Sequence, residues 1–450
     1  VVGVAPVASA AGCSVTNTSS GVRFSSLQSA VNAAAPGHTL KVAGSCKGNV
    51  TIAKSLTLLG TGTGPTLRGN GGRPLTITGG PVTIDRLRVT GGVATSCFGA
   101  PAGVACGGGI AASKRLIVKR SLIDGNTVSG TLVAEGGGIA VVAGGSLKVV
   151  ATVITDNTLT ANGDGSLSLG GGIASFGPTT VTRSLIDGNI ASGDSAEGGG
   201  LYGDVGPTNS VSITDSTIRD NKALGDGSAA GGGIVALQTL RLTRSTVAGN
   251  QAFAANTTVS TASAGGVRAS DAAIANSTIT GNTATALGIA VGGALAGGLL
   301  LAEGSVVAST IASNAATSAG GAMLGQGVEI GSTILAANAA THGPDCQADP
   351  AATSLGRNLI GDATGCGAVF DHGVKGDKVG NDQVGPSISK IAPKLSPLAD
   401  NGGPTPTRAL KSGSPAIDAA GGKPCSTITD QRGVKRPKGP RCDIGAFEKS

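Results

Sequence analysis

The sequence predicts an all-β protein, a right-handed parallel β-helix in which short strands stack coil upon coil. Two interleaved motifs recur about every 32 residues, 78 of the 450 residues are glycine, and the apolar residues are mostly Ala, Val, Leu and Ile. The first motif reads SLIDGN at Ser121–Asn126 and recurs with its last residue at Asn157, Asn189, Asn221, Asn250, Asn282, Asn314 and Asn338. These asparagines are 31, 32, 32, 29, 32, 32 and 24 residues apart. The second motif is a glycine run before an apolar residue, as in EGGGI from Glu135 and EGGGL from Glu197. Two motifs keeping step over so many copies are the mark of a solenoid.

Each element has a physical reading. In S-x-I-x-x-N the Ile, Leu or Val points inward from a short strand while its neighbours alternate outward. The Asn follows at a turn, where it tolerates left-handed backbone, and stacked copies can bond one another up the solenoid. The glycines supply backbone angles that a Cβ resists and open the next strand at Ile139, Ile173, Leu201 or Ile234. A third strand follows, read as LIVKRS from Leu116 and LRLTRS from Leu240. A three-strand coil needs roughly two dozen residues. The surplus falls between Asn and glycines, so a loop is expected on the same side of every coil, together forming a wall suited to binding. Glycine content and β-branching exclude helices over the repeat.

The termini differ from the repeat. Residues 1–11 read as a signal-peptide remnant, with Ala8-Ser9-Ala10 fitting a small-x-small cleavage site. Residues 12–105 hold an N-terminal cap and first coils. Leu27, Val31 and Ala34 or Ala35 recur at helical spacing before Pro36-Gly37, predicting a short helix over the open end. Regular coils occupy 106–340, and an irregular C-terminal cap 341–450. Eight cysteines fall in near neighbours, suggesting Cys13–Cys46, Cys97–Cys106, Cys346–Cys366 and Cys425–Cys442 among the 105 possible connectivities. They flank the regular core and suit an oxidising compartment. No C-x-x-C occurs, so zinc is not expected. No stretch could span a membrane; the most apolar, from Ala284 to Ala302, is broken by glycines.

The segment HTLKVAGSCKGNVTIAKSLTLLG resembles the start of pectin-lyase-like β-helices. The phrases NLIGDATGCG from Asn358, LADNGGPTPTRALKSGSPAIDAA from Leu398 and TDQRGVKRPKGPRCDIGAFE from Thr429 resemble choice-of-anchor Q domain proteins. That resemblance implies a bacterial, secreted β-helix protein, and no settled activity. The chain stops at Glu448-Lys449-Ser450 without a sorting motif, so free secretion into the extracellular space is the expectation.

Function is less legible. A net charge of +7 favours acidic polymers, but there is no basic stripe with interleaved aromatics for nucleic acid. The densest basic run, Arg432, Lys435, Arg436, Lys438 and Arg441, reads as a solvated loop with structural pairs. Asp430, Arg432 and Asp443 read as ion pairs fixing the cap rather than as catalysts. A glycoside hydrolase needs two carboxylates across the scissile bond. Asp124, Asp156, Asp187 and Asp220 follow the repeat and read as turn formers. For a lyase, Tyr202 (the only Tyr), Lys222, Asp187 and Asp220 are the candidates; packing over a coil is the plainer role of Tyr202. Asp164, Asp194 and Asp226 lie 30 and 32 residues apart and should stack. With Glu135 and Glu197 they form the candidate ligand-binding set, able to bind sugar hydroxyls or calcium. No other cofactor is expected. His38, His342 and His372 stand outside the repeat. The leading expectation is a non-catalytic protein binding carbohydrate or a cell-surface glycan, an adhesin. A polysaccharide lyase or hydrolase is the alternative, and a structural spacer the third.

Overall fold

The computed structural model describes residues 12–204, 206, 210–258, 260–288, 294–318, 320–325, 327–349, 351–366, 369–370, 378–379, 390–422 and 424–449. The expected signal remnant (1–11) and His372 lie outside these. The chain winds as a parallel β-solenoid. Each regular turn begins with two strands of one broad sheet, such as Ile139–Val141 and Ser146–Val150. In three turns they fuse into one long strand, Ile234–Thr243, Val267–Ala275 and Leu299–Val307, and they separate again from Ala322–Leu324 and Val328–Gly331. The turn continues into the S-x-I-x-x-N strand, for example Val153–Thr155, in a thirteen-stranded parallel sheet. Repeat positions face their equivalents: Ile123 pairs Ile154, Ile154 pairs Ile186, and Ile186 pairs Ile218. All four are fully buried, as are Ile139, Ile173, Leu201 and Ile234 behind the glycines. The inward positions therefore follow the motifs.

The surplus between Asn and glycines is not a loop. It runs out and back as extended chain, as two strands in turns such as Thr158–Ala161 and Leu167–Leu169 and as one bent strand in Ile190–Glu197 and Lys222–Ala230. Equivalent strands pair in parallel, Thr158 with Ile190 and Leu167 with Ser195. The result is a thin fin of two layers along the solenoid. Its interior is mostly alanine, including Ala134, Ala161, Ala191, Ala196, Ala223, Ala229, Ala252 and Ala262. Sheets packed through larger side chains sit about 10 Å apart, and alanine lets these two approach more closely. Polar side chains interleave with the alanines: the Ser168 hydroxyl donates to the Ser192 carbonyl at 2.6 Å.

The two motifs recur together because they touch. The first glycine takes a left-handed φ, as at Gly136 (59°), although Ala264 and Ala296 do the same. At the second, any Cβ would strike backbone where the fin begins: Gly171 faces Ile190, Gly199 faces Lys222 and Gly232 faces Gln251. The third packs on an asparagine amide, Gly172 on Asn189 and Gly200 on Asn221. The Asn itself is not the left-handed residue. That is its predecessor, as at Gly125, Asp156, Gly188 and Asp220. The asparagines from Asn126 to Asn314 are buried instead and, with the half-buried Asn338, form a ladder. Each Nδ2 donates to the next turn's Oδ1 at 2.9–3.0 Å, from Asn126 through Asn338. The last rung donates to Asp345, 2.9 Å away. Burial pushes the Asp345 carboxyl up to about 6, opposed by the bonds it accepts from Asn338 and the Asp362 amide. A second ladder runs up the other corner, where each Ser or Thr hydroxyl accepts from the previous turn's amide at 3.1–3.3 Å, from Thr152 to Thr333.

The helix forms as Leu27–Ala33, N-capped by Ser26, and buries Leu27, Ala30 and Val31. Beside it Ser14–Asn17 pairs antiparallel with Thr39–Ala43 and shields that sheet edge. The four near-neighbour disulfides all form. The C-terminal region does more than cap the end. It runs back along the outside of the thirteen-stranded sheet, where Gln431 bonds Thr246 and Thr278 and the Ala446 amide bonds Thr310. Asp430 pairs with Arg432, Arg436 with Glu448, and Arg432 lies 3.6 Å over the Phe447 ring. Asp443 accepts from the amides of Asp418 and Lys449. These groups are consumed in fixing that region.

Candidate binding groove

Where the fin's returning layer meets the broad sheet, a narrow groove runs along the solenoid, filled over most of its length by its own side chains: Ala140, Ala174 and Val235 are fully buried, and Leu169, Tyr202, Ala230 and Val235 pack as one apolar cluster. Its two sides come from residues flanking the glycines. On the fin side the residue before the first glycine is Glu135, Leu169, Glu197 or Ala230 in successive turns. On the sheet side the second residue of the strand points outward: Ala140, Ala174, Tyr202, Val235 and Arg268. The outward position is variable, so one turn's residues can differ chemically without disturbing the inward core.

Polar chemistry concentrates at the middle of this groove. Glu135 and Glu197 stand two rungs apart in one column, about 9.6 Å by the ordinary strand spacing. Arg268 approaches Glu197 at 3.6 Å, Nη1 to Oε1. Burial pushes the Glu135 carboxyl up to about 7, and the charge of Asp204 adds to the shift. Burial also raises Glu197, with Arg268 opposing and Asp204 adding. Tyr202 is only 6% exposed and packs against Phe176, ring centroids 6.0 Å apart. Burial raises its hydroxyl, and the charges of Asp204, Glu197 and Glu135 raise it further. Tyr202 is thus a neutral donor at physiological pH. Its hydroxyl has no hydrogen-bond partner among the described residues.

The sequence-selected residues divide into three places. Glu135, Glu197 and Tyr202 come together here. Asp204 and Arg268 join them and were not selected; only the pairing of strands, not sequence distance, brings Arg268 to Glu197. Lys222, Asp187 and Asp220 form another group: Asp187 pairs with Arg219 at 2.9 Å, and Lys222 and Asp187 act on Asp220. None of the three is among the charged groups acting on Tyr202, so the lyase constellation drawn from the sequence is not assembled. Asp156 and Asp220 are left-handed turn residues, and Asp124 pairs with Arg88. Asp164, Asp194 and Asp226 lie at the crest of the fin, where the chain turns back. They stack as expected: Asp194 accepts from the Gly165 amide at 3.2 Å and lies beside Gly227 in the next turn. Turn chemistry uses part of their bonding capacity. They do not join Glu135 and Glu197, which face the groove. Among the described residues, the one His/Cys/Asp/Glu group close enough to hold a metal is Cys97, Cys106 and Glu135. Both of those sulfurs are in a disulfide and cannot ligate as thiolates. His38 bonds Asn17 in the N-terminal cap, and His342 is exposed beyond the fin.

The Glu135 environment makes stability depend on pH. A carboxyl raised in the folded state binds more protons folded than unfolded between about 4.5 and 7. Stability therefore falls as pH rises through that window. Glu135→Gln should flatten this slope and stabilise the protein at pH 8 by about 2 kcal/mol, allowing for partial solvent contact. Thermal unfolding of both proteins at pH 5 and pH 8 checks this; equal pH slopes would show that Glu135 does not carry the effect.

Compared with known proteins, the chain matches no family model, no curated protein and no solved structure. No helix is long and apolar enough to cross a membrane among the described residues. Fold and disulfides stand on the structure itself: this is an all-β, disulfide-stapled parallel β-solenoid.

Proposed function

We propose that this protein is a secreted carbohydrate-binding β-helix that holds an extended polysaccharide along the groove beside the fin. The observation that carries the reading is the convergence of Glu135, Glu197, Tyr202 and Arg268 on one stretch of groove. Carboxylates accept from sugar hydroxyls, and a neutral phenol and a guanidinium donate to sugar oxygens. A linear groove parallel to the stacking axis suits a linear chain. The four disulfides fit the extracellular setting. The pectin-lyase-like and choice-of-anchor Q resemblance belongs to this proposal, and with it an adhesive role on cell surfaces.

A second reading is favoured by the two glutamates. A carboxyl protonated near neutrality and a second one about 9.6 Å along the column suit acid and base in inverting glycoside hydrolysis. Glu135 would protonate the leaving oxygen, and Glu197 would take a proton from the attacking water.

Retention on immobilised neutral and anionic polysaccharides, with calcium and with chelator, tests binding. Reducing ends and unsaturated products report cleavage. We expect retention on at least one polymer, weakened about tenfold by Glu197→Gln or Tyr202→Phe. Replacing Asp164, Asp194 and Asp226 together should leave it unchanged. Loss in the triple variant alone would move the site to the fin crest, no retention would end the binding reading, and cleavage abolished by Glu135→Gln would establish the hydrolase.

A further inference from the structure

The groove does not end where its polar stretch ends. The step from Asn314 to Asn338 spans 24 residues instead of 32, and only five residues separate Asn314 from Gly320-Gly321. That is too few for an out-and-back pair of strands. The last described strand of the returning layer is Ala294–Leu295. Beyond it no described strand of the fin covers the outer face of the broad sheet. Leu300, Met323 and Gln347 occupy that face on successive rungs, in register with Arg268 one rung earlier. Together with Leu237 they line a cavity of about 520 Å³. This is the size of pocket that takes a small organic ligand.

The lining has one sharp asymmetry. Leu237, Leu300, Leu301, Met323 and Leu324 give it an apolar wall beside the polar Ser270 and Gln347, and Met323 is the only methionine in the chain, an unbranched side chain that adapts to a ligand's shape. At one end stands Arg268. Its sole carboxylate neighbour among the described residues, Glu197, is 3.6 Å away, beyond hydrogen-bond reach. The guanidinium lines the cavity while its ion pair with Glu197 takes no hydrogen bond from it. At the other end Asp349 also lines the cavity, its Oδ1 accepting from the Ala351 amide at 2.8 Å. The lining thus carries one charge of each sign at opposite ends, and the cation stands at the Arg268 end.

We propose that this cavity binds an amphipathic carboxylate of medium length, its apolar body against Leu300 and Met323 and its head group on the Arg268 fork. A guanidinium meets a carboxylate with two parallel bonds, which a neutral or cationic head cannot reproduce. The site does not depend on the polysaccharide reading, since a free carboxylate suffices to fill it.

Titration calorimetry of the full chain at pH 8 with decanoate, kept below its micelle concentration, tests this. Decyltrimethylammonium serves as the cationic counterpart. Decanoate should bind at one site and the cation should not. Arg268→Gln should weaken decanoate about tenfold or more. Met323→Lys, on the half-exposed outer face of its rung, should block the apolar part and serves if the arginine variant misfolds. No saturable decanoate binding, equal binding of the cation, or undiminished binding by a folded Arg268→Gln protein would overturn the proposal. None of these results bears on polysaccharide retention, so the two readings fail separately.

Discussion

Replacing Asn221 by alanine should cost about 3–6 kcal/mol of stability. The side chain is fully buried. Its Oδ1 accepts from the Asn189 amide at 3.0 Å and from Asn189 Nδ2 at 2.9 Å. Its Nδ2 donates to the Ile186 carbonyl at 3.0 Å and to Asn250 Oδ1 at 2.9 Å. Alanine removes all four bonds, strands the Asn189 backbone N–H away from water, leaves Asn189 Nδ2 only the Ile154 and Asp187 carbonyls, and takes the donor from the Ile186 carbonyl and Asn250 Oδ1. Each buried orphan costs about 1–3 kcal/mol, which outweighs the small apolar gain. Asn221→Asp is not a remedy. A carboxylate still accepts from Asn189 but meets the oxygens of Ile186 and Asn250 without a donor between them. The ladder places an aspartate only at its end, Asp345, which receives bonds from Asn338 and the Asp362 amide. Chemical denaturation of the three proteins measures these costs. A loss under about 1 kcal/mol for Asn221→Ala would show that water replaces the ladder.

Gly232→Ala should cost about 3 kcal/mol. No unusual φ is involved. A Cβ there would overlap the backbone of Gln251, where the fin leaves the solenoid. Backbone cannot rotate aside as a side chain can, so neighbouring strands must separate. In a repeat structure each turn is stabilised by the adjacent ones, so the strain spreads to both. Gly48→Ala is the control, because a Cβ at Gly48 meets nothing within 4 Å. It should leave the unfolding midpoint nearly unchanged. Equal midpoints for both variants would mean that the glycine run is kept for flexibility rather than for close approach.

These two sites explain how a simple repeat leaves room for function. The Asn and glycine positions are used up by contacts between the fin root and the solenoid. The inward strand positions are used up by the core. What the repeat leaves variable is the outward residue of each rung and the residue just before the glycines. Those two columns meet along the groove, and there Tyr202, Arg268, Glu135 and Glu197 depart from the apolar residues around them.

Much of the fold was legible because its physics is local and periodic. The spacing of Ile123, Ile154 and Ile186 fixes strand and register, since a one-residue slip would turn each side chain to the wrong face. The spacing of Leu27 and Val31 marks the capping helix, and cysteine proximity marks the disulfides. Long-range facts were not legible. Fin residues such as Thr158–Ala161 read as loop, because alternation of alanine with Ser and Thr is a weak hydrophobic signal and becomes strand only when neighbouring turns pair with it. The sequence showed that Asn and glycine recur in step, but only the folded chain shows them in contact. Likewise Tyr202 and Lys222 are close in sequence and belong to different charged groups, while Arg268 is 71 residues from Glu197 and lies 3.6 Å from it. The sequence by itself determined the solenoid, its inward face and its staples, because each depends on residues a fixed step apart. Only the tertiary structure decided which outward residues meet, because that depends on which turns stack and where the fin stops.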